Sequence, residues 1–293
     1  MDARSVRIAA AAWPLDWHAD ATSYAAKLDR WISGTQADLL VFPEYAGIEA
    51  SLTARPPADT PEDWLTHAAA AAGPALDVHR TLARSHGKHI LMGSLPVAEA
   101  GRFVNRAYLI APDGSYVWND KQIPTPWERR HTTLASGDPL LVSDTAWGRI
   151  GVLICHDGEF PELSAALDCD ILLIPACTDG PHGAARVRNA ARARALEGCC
   201  ITVLSQTVGP LSDCCFLDEN HGRAGIYGPP DRGFPPTGIL NESLPNTPGW
   251  AEAEVPLAQL RRLRDGQGEV HLPLDRPAAI ARAGLGRSAD ISG

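Results

Sequence analysis

Two unbroken apolar runs, DLLVF at 38–42 and DILLIP at 170–175, limit what this chain can fold into more than any other feature. A strand without polar alternates must be covered on both faces, so each run belongs to a sheet with layers on either side. Further strand-like runs lie at 6–13, 89–95 and 200–208, with weaker ones at 222–227 and 250–255. Between them the pattern is helical. Residues 20–34 space Tyr24, Leu28, Trp31 and Ile32 at helical intervals and stop at Gly34. Thr60 followed by Pro61 starts a second helical stretch, which runs to Ser85 with a break near Gly73 and Pro74 and closes at Gly87. Residues 184–198 and 257–264 are also helical. Hairpins interrupt this alternation at 102–122, around Pro112-Asp113-Gly114, and at 140–155, around Trp147-Gly148. The expectation is an α/β protein with mixed sheets in layers. One domain is expected over residues 1–272, followed by a C-terminal tail at 273–293.

The 293 residues are 45% apolar, enough for a substantial core, and 21% charged. A net charge of -9 argues against a nucleic-acid or anionic-membrane partner. No apolar run approaches the roughly 18 residues of a membrane helix. The start of the chain does not read as a signal peptide. The seven cysteines are scattered with no CxxC pair, which points to a reducing, cytoplasmic setting.

Cys155 follows the apolar run 150–154 and opens the octet Cys155, His156, Asp157, Gly158, Glu159, Phe160, Pro161, Glu162. A free thiol has a pKa of about 8.5, so a nucleophilic cysteine needs a base or cation beside it, and amide chemistry needs an oxyanion donor. Lysines are confined to Lys27, Lys88 and Lys121. Lys27 reads as part of a surface helix and Lys88 as part of a glycine-bounded turn, whereas Lys121 ends the 102–122 hairpin. Glu44 follows DLLVF-Pro, at the tip of a core strand. Glu128 follows Pro126-Trp127 a few residues after Lys121.

These motifs together resemble the nitrilase superfamily of carbon–nitrogen hydrolases. The matching pieces are Phe42-Pro43-Glu44, Asn119-Asp120-Lys121-Gln122, Trp127-Glu128-Arg129-Arg130, Ser136-Gly137-Asp138, the octet from Cys155, and Ala193-Arg194-Ala195-Leu196-Glu197, in family order. The resemblance implies a four-layer α-β-β-α sandwich of two mixed sheets. It implies pairing into a homodimer or higher homo-oligomer through the helices beside the nucleophile, with no cofactor and no metal. It also implies that Cys155 attacks a carbonyl carbon, that Lys121 and the main-chain N–H of His156 hold the oxyanion, that Glu44 shuttles the proton, and that Glu128 positions Lys121 and the substrate.

Blander readings stand beside these. The His156 side chain adjoins the nucleophile and should point away from it, and Asp157 and Glu162 read as a turn acceptor and a first-turn helix carboxylate. A zinc site would need partner ligands that the spacing does not supply. Cys199-Cys200 and Cys214-Cys215 read as small residues in or beside strands, and Arg186, Arg188, Arg192 and Arg194 as a solvated helix face with some intramolecular ion pairs. No GxSxG elbow is present. The expected substrate is a small linear amide, because His156-Asp157 after the nucleophile resembles the amidase and carbamoylase branches. N-carbamoyl and nitrile hydrolysis are the rivals, and an idle binding or assembly protein is the alternative of a different class. Tyr45, Trp127, His156 and His182 are the candidate substrate contacts, and Arg130 or His182 a possible holder of a substrate carboxylate.

Overall fold

Strand β1 (Val6–Pro14) shows how the layers arise. Its side chains alternate between two cores. Val6, Ile8, Ala10 and Ala12 join the core that holds Leu172, Leu173 and Ile174, while Ala9, Ala11 and Trp13 join one built with helix residues such as Tyr24, Leu28, Trp64 and Ala75. The computed structural model describes residues 5–53 and 58–269. The proposed tail at 273–293 lies outside the described residues.

In chain order the strands are β1, β2 (Leu39–Val41), β3 (His89–Glu99), β4 (Arg102–Ile110), β5 (Tyr116–Asp120), β6 (Leu134–Ala135), β7 (Val142–Thr145), β8 (Gly148–Val152), β9 (Ile171–Ala176), β10 (Ile201–Val208), β11 (Gly225–Tyr227), β12 (Ile239–Glu242) and β13 (Gly249–Val255). The helices are α1 (Ala21–Ser33), α2 (Pro61–Ala70), α3 (Ala72–His86), α4 (Pro126–His131), α5 (Pro161–Leu167), α6 (Pro181–Gly198) and α7 (Leu257–Arg262). Short 3₁₀ helices cover Ala46–Ser51 and Cys155–Glu159.

Hydrogen bonding connects the strands into one 13-stranded network, ordered β5-β4-β3-β2-β1-β10-β9-β8-β7, with β13 on β1, β11-β12 on β10 and the short β6 on β4. The join is narrow. β1 pairs with β13 along Val6–Ala12 and with β10 only from Ala12 to Pro14. The network is therefore two mixed sheets linked at a corner: β5-β4-β3-β2-β1-β13 and β7-β8-β9-β10-β11-β12. Helices α1, α2 and α3 cover the first, and α6 packs its Val187, Ala191 and Ala195 into the core of the second. This is the expected α-β-β-α arrangement.

Helix starts follow their caps. Asp20, Thr60 and Thr125 each make a capping box with the residue three positions on. Three sequence expectations need correction. Arg194 does not lie on a solvated face of α6: it is buried, ion-paired with Glu197 and bonded to Gly158 O. The second helical stretch breaks at Ala71 rather than at Gly73-Pro74, because Pro74 sits in the first turn of α3, where its missing N–H costs nothing. Lys27 is not a surface residue. It lies in the buried stripe of α1 with Tyr24, Leu28 and Ile32.

Candidate active site

The C-terminal ends of the two sheets bring the site together. Chain leaving β2 turns sharply at Pro43, whose carbonyl accepts from the N–H groups of Ala46 and Ser94. β3 passes so close that a Cβ on Gly93 (φ 79°) would lie 2.0 Å from that carbonyl oxygen. Only glycine fits there, and the close contact fixes Glu44 at the strand tip.

Glu44 is buried, and three donors reach its carboxylate. Oε1 accepts from Lys121 Nζ at 2.8 Å and from Asn105 Nδ2 at 2.9 Å, and Oε2 accepts from the main-chain N–H of Cys177 at 2.9 Å. Lys121 follows β5, with its own N–H on Asn105 O and its carbonyl on Gly137 N–H. Its ammonium donates to both oxygens of Glu128, at 2.8 and 2.9 Å.

Glu128 owes its place to helix capping. As the third residue of α4 it accepts from the N–H of the cap residue Thr125 at 2.6 Å. The same carboxylate accepts from the Tyr45 hydroxyl. It is 3% exposed, so the flanking Arg129 and Arg130 are not what holds it.

Cys155 lies at a positive φ of 50°, the first residue of its 3₁₀ helix. Its thiol donates to Cys177 O at 3.6 Å, and it stands close enough to the Glu44 carboxylate for each to shift the other's proton affinity. The turn beneath is tied down from two sides. Arg194 of α6 donates to Gly158 O at 3.2 Å. Asp157 accepts the N–H groups of Gln122 and Ile123, each at 2.9 Å, so the carboxylate beside the nucleophile clips the loop after Lys121.

Burial sets the charge states. It pushes the Cys155 thiol well above its ordinary pKa, and the Glu44 charge pushes it further. Burial also raises Glu44 against the pull of Lys121, with Glu128 adding to the rise. Burial alone would lower Lys121, but Glu128 and Glu44 outweigh it and hold the ammonium protonated. Glu128 resists burial and lies below the usual carboxylate range because Lys121, Tyr45 and Thr125 stabilise its charge. The resting cluster is a neutral thiol, an ammonium, a firmly ionised Glu128, and a Glu44 poised to take a proton.

The four candidate substrate contacts fall in different places. Tyr45 is buried, its hydroxyl on Glu128 and its ring 4.9 Å from Phe216. Trp127 is half-exposed and lies 5.8 Å from the same Phe216. The His156 ring turns to Glu159, 3.3 Å away, and to Phe160. His182 is exposed in the first turn of α6. Sequence reasoning missed Asn105, although its face of β4 carries Ala107 and Leu109 into the core between the sheets, and a polar residue on such a face is a signal.

Among the described residues, Glu99, Asp120 and Asp138 offer three carboxylates within 4.8 Å of one another. The Arg106 guanidinium sits among them, 2.7 Å from Asp120 and 2.8 Å from Glu99, and supplies the counter-charge a cation would bring.

The carbon–nitrogen hydrolase profile matches residues 6–228, which contain every residue of this cluster. The chain belongs to this family. It is therefore a carbon–nitrogen hydrolase of the nitrilase superfamily. A probable hydrolase of Bacillus subtilis, YhcX, is 38% identical over 198 residues, 67% of this chain but 38% of that longer protein. The deaminated glutathione amidase of Synechocystis is 28% identical over 203 residues, 63% of this chain and 70% of the relative. Among solved structures, an amidase from Nesterenkonia sp. superposes with a TM-score of 0.70 at 21% identity, covering 96% of this chain and 97% of its own. A mutant of the Nesterenkonia sp. AN1 amidase in complex with butyramide gives 0.69 at 22% identity, covering 96% and 97%. Among the described residues no helix is long and apolar enough to cross a membrane.

Proposed function

We propose that this carbon–nitrogen hydrolase cleaves small linear amides to a carboxylate and ammonia through a thioester on Cys155. The observation that carries the proposal is the Lys121 ammonium shared between Glu44 and Glu128, beside the buried Cys155 thiol. A thiol this strongly held in its neutral form does not attack unaided, so its proton must leave as the C–S bond forms. Glu44 takes it. The carbonyl π pair moves to oxygen, where Lys121 and the main-chain N–H of His156 stabilise the negative charge. The ammonium has three N–H groups and two carboxylate partners, so one N–H can turn to the oxyanion without losing either. As the tetrahedral intermediate collapses, Glu44 returns the proton to the departing nitrogen and ammonia leaves. Glu44 then deprotonates a water that attacks the thioester, and the acid and the free thiol are released. Glu128 keeps Lys121 aimed through both steps.

Small amides are favoured because the similar solved structures are amidases, one of them in complex with butyramide. Tyr45, Trp127, His156 and His182 remain the proposed substrate contacts, and pairing of copies through α5 and α6 is proposed with them. The test is ammonia release from propionamide, butyramide and longer linear amides, beside N-carbamoyl compounds and nitriles, by the wild type and by Cys155→Ala. The expected result is turnover of amides that falls by about 10⁴-fold or more in the variant. Preference for carbamoyl compounds or nitriles redirects the substrate class. Absence of turnover on the whole panel overturns the hydrolase function in favour of a binding role.

A further inference from the structure

Asn105 of β4 touches both halves of the catalytic cluster. Its carbonyl accepts the main-chain N–H of Lys121 at 2.8 Å, and its side-chain Nδ2 donates to Glu44 Oε1 at 2.9 Å. It is 1% exposed. The other end of its amide, Oδ1, is buried with no hydrogen-bond partner. A buried acceptor left unpaired is unfavourable, and a residue kept only to fill space here would be apolar, like Ala107 and Leu109 on the same face. Turning the amide over would not help, because it would set Oδ1 against the Glu44 carboxylate. The donor end is therefore committed to Glu44.

We propose that Asn105 is a positioning residue for the base: its N–H holds the Glu44 carboxylate in the anionic form and leaves one Oε2 lone pair to receive the Cys155 proton. The valences support this. Lys121 and Asn105 take the two lone pairs of Oε1, and the Cys177 N–H takes one of Oε2. One remains, on Oε2. Without Asn105, Oε1 keeps a single donor, the carboxylate is held less firmly, and its proton affinity rises.

The titratable groups that face Glu44 are Lys121 after β5, Glu128 of α4, Cys155 and Asp157 of the 3₁₀ helix, Cys177 after β9, and Tyr45 beside it. Of these, Glu128 and burial push its proton affinity up, and Lys121 and the thiol bring it down. Asn105 adds to the second set while carrying no charge. Its loss therefore moves the protonation of Glu44 without adding or removing a titrating group.

This inference rests on Glu44 being the general base, so its test has a readout apart from turnover. The nearly isosteric Asn105→Leu removes the donor. The pH dependence of kcat/KM for a small amide is measured beside the rate at which 2-chloroacetamide alkylates Cys155, followed by intact mass. In the alkylation, sulfur displaces chloride and the thiol proton passes to Glu44. Loss of one hydrogen bond to a charged group corresponds to roughly one to two pK units. The acid limb of both profiles is expected to move up by that amount, with activity recovering at higher pH. Asn105→Ser, which keeps a shorter donor, should shift the limb in the same direction by less, and serves if the leucine variant does not fold. An equal loss at every pH with the limb in place means a merely structural role and overturns the inference. Failure of the wild type on every substrate would count against the hydrolase function alone, since the alkylation profile would still read Asn105.

Discussion

Two lysines are buried in this protein, each against glutamates, and the two clusters do opposite things. Lys27 of α1 uses all three N–H groups on fixed protein acceptors: Pro14 O at 2.5 Å, Asp16 at 2.7 Å and Glu49 at 2.6 Å. Its ammonium also lies 4.2 Å from the Trp13 ring centroid. Glu49 in turn accepts from the Asp16 N–H, His18 Nε2 and Lys27 on Oε1 and from Trp13 Nε1 on Oε2, four donors in all. Glu44, by contrast, has three donors and stands beside the Cys155 thiol. Glu44 and Glu49 are five positions apart in one segment, and both are buried. Burial and ion pairing are common to both clusters. What sets the proposed reaction site apart is the thiol beside its glutamate, which the Lys27 cluster lacks.

The contrast is sharpest in a pair of substitutions. Lys121→Met removes the proposed oxyanion donor, and turnover should fall by about 10²–10³-fold or more, because one such donor is commonly worth that much. It also leaves Glu44 and Glu128 without their cation. Lys27→Met should leave kcat within a few-fold of the wild type and lower stability by about 3–5 kcal/mol, the usual cost of breaking a buried pair. Urea unfolding and steady-state kinetics on both variants check this. A Lys27 variant that loses kcat at unchanged stability would erase the distinction.

A smaller effect separates two roles for Tyr45. Its hydroxyl donates to Glu128, so Tyr45→Phe should lower kcat by about 10-fold through a loosened Lys121, with KM little changed, in keeping with one hydrogen bond to a charged group. If Tyr45 instead grips the substrate through that hydroxyl, KM rises and kcat holds.

The sequence carried these two clusters unequally. The runs DLLVF and DILLIP marked covered strands because nothing polar interrupts them, and Glu44, Lys121 and Cys155 stood out as polar residues at the ends of such strands. Their convergence depends on the corner pairing of β1 with β10, which no local pattern encodes, and motif order supplied it instead. Lys27 was misread because its charge outweighed its position. It falls three residues after Tyr24 and one before Leu28, inside the apolar stripe, and it is tolerated there because Pro14 O, Asp16 and Glu49 accept its three N–H groups. Glu128 is legible in the sequence, since Thr125-Pro126 followed by a glutamate at the third helical position is a capping box.

Asp157 gives an effect on stability rather than on rate, and a pH-dependent one. Burial raises its carboxyl to about 6, although the Gln122 and Ile123 N–H groups and Lys121 pull the other way. In the unfolded chain an aspartate titrates at about 3.9. Between those values the folded state binds more protons than the unfolded state, so stability falls as pH rises through the window. The contribution is complete below the unfolded pKa and gone above the folded one. Its size is on the order of 2–3 kcal/mol, from about two pK units. Asp157→Asn cannot titrate, and it turns an N–H₂ or a single acceptor toward two N–H groups, an offset the same at every pH. The stability of the wild type minus that of the variant should therefore decline from pH 4 to pH 6.5, read by urea unfolding at each pH. A flat difference would mean that the two N–H bonds compensate burial in full, and that the clip between the Cys155 turn and the Lys121 loop is as fixed as the Lys27 brace.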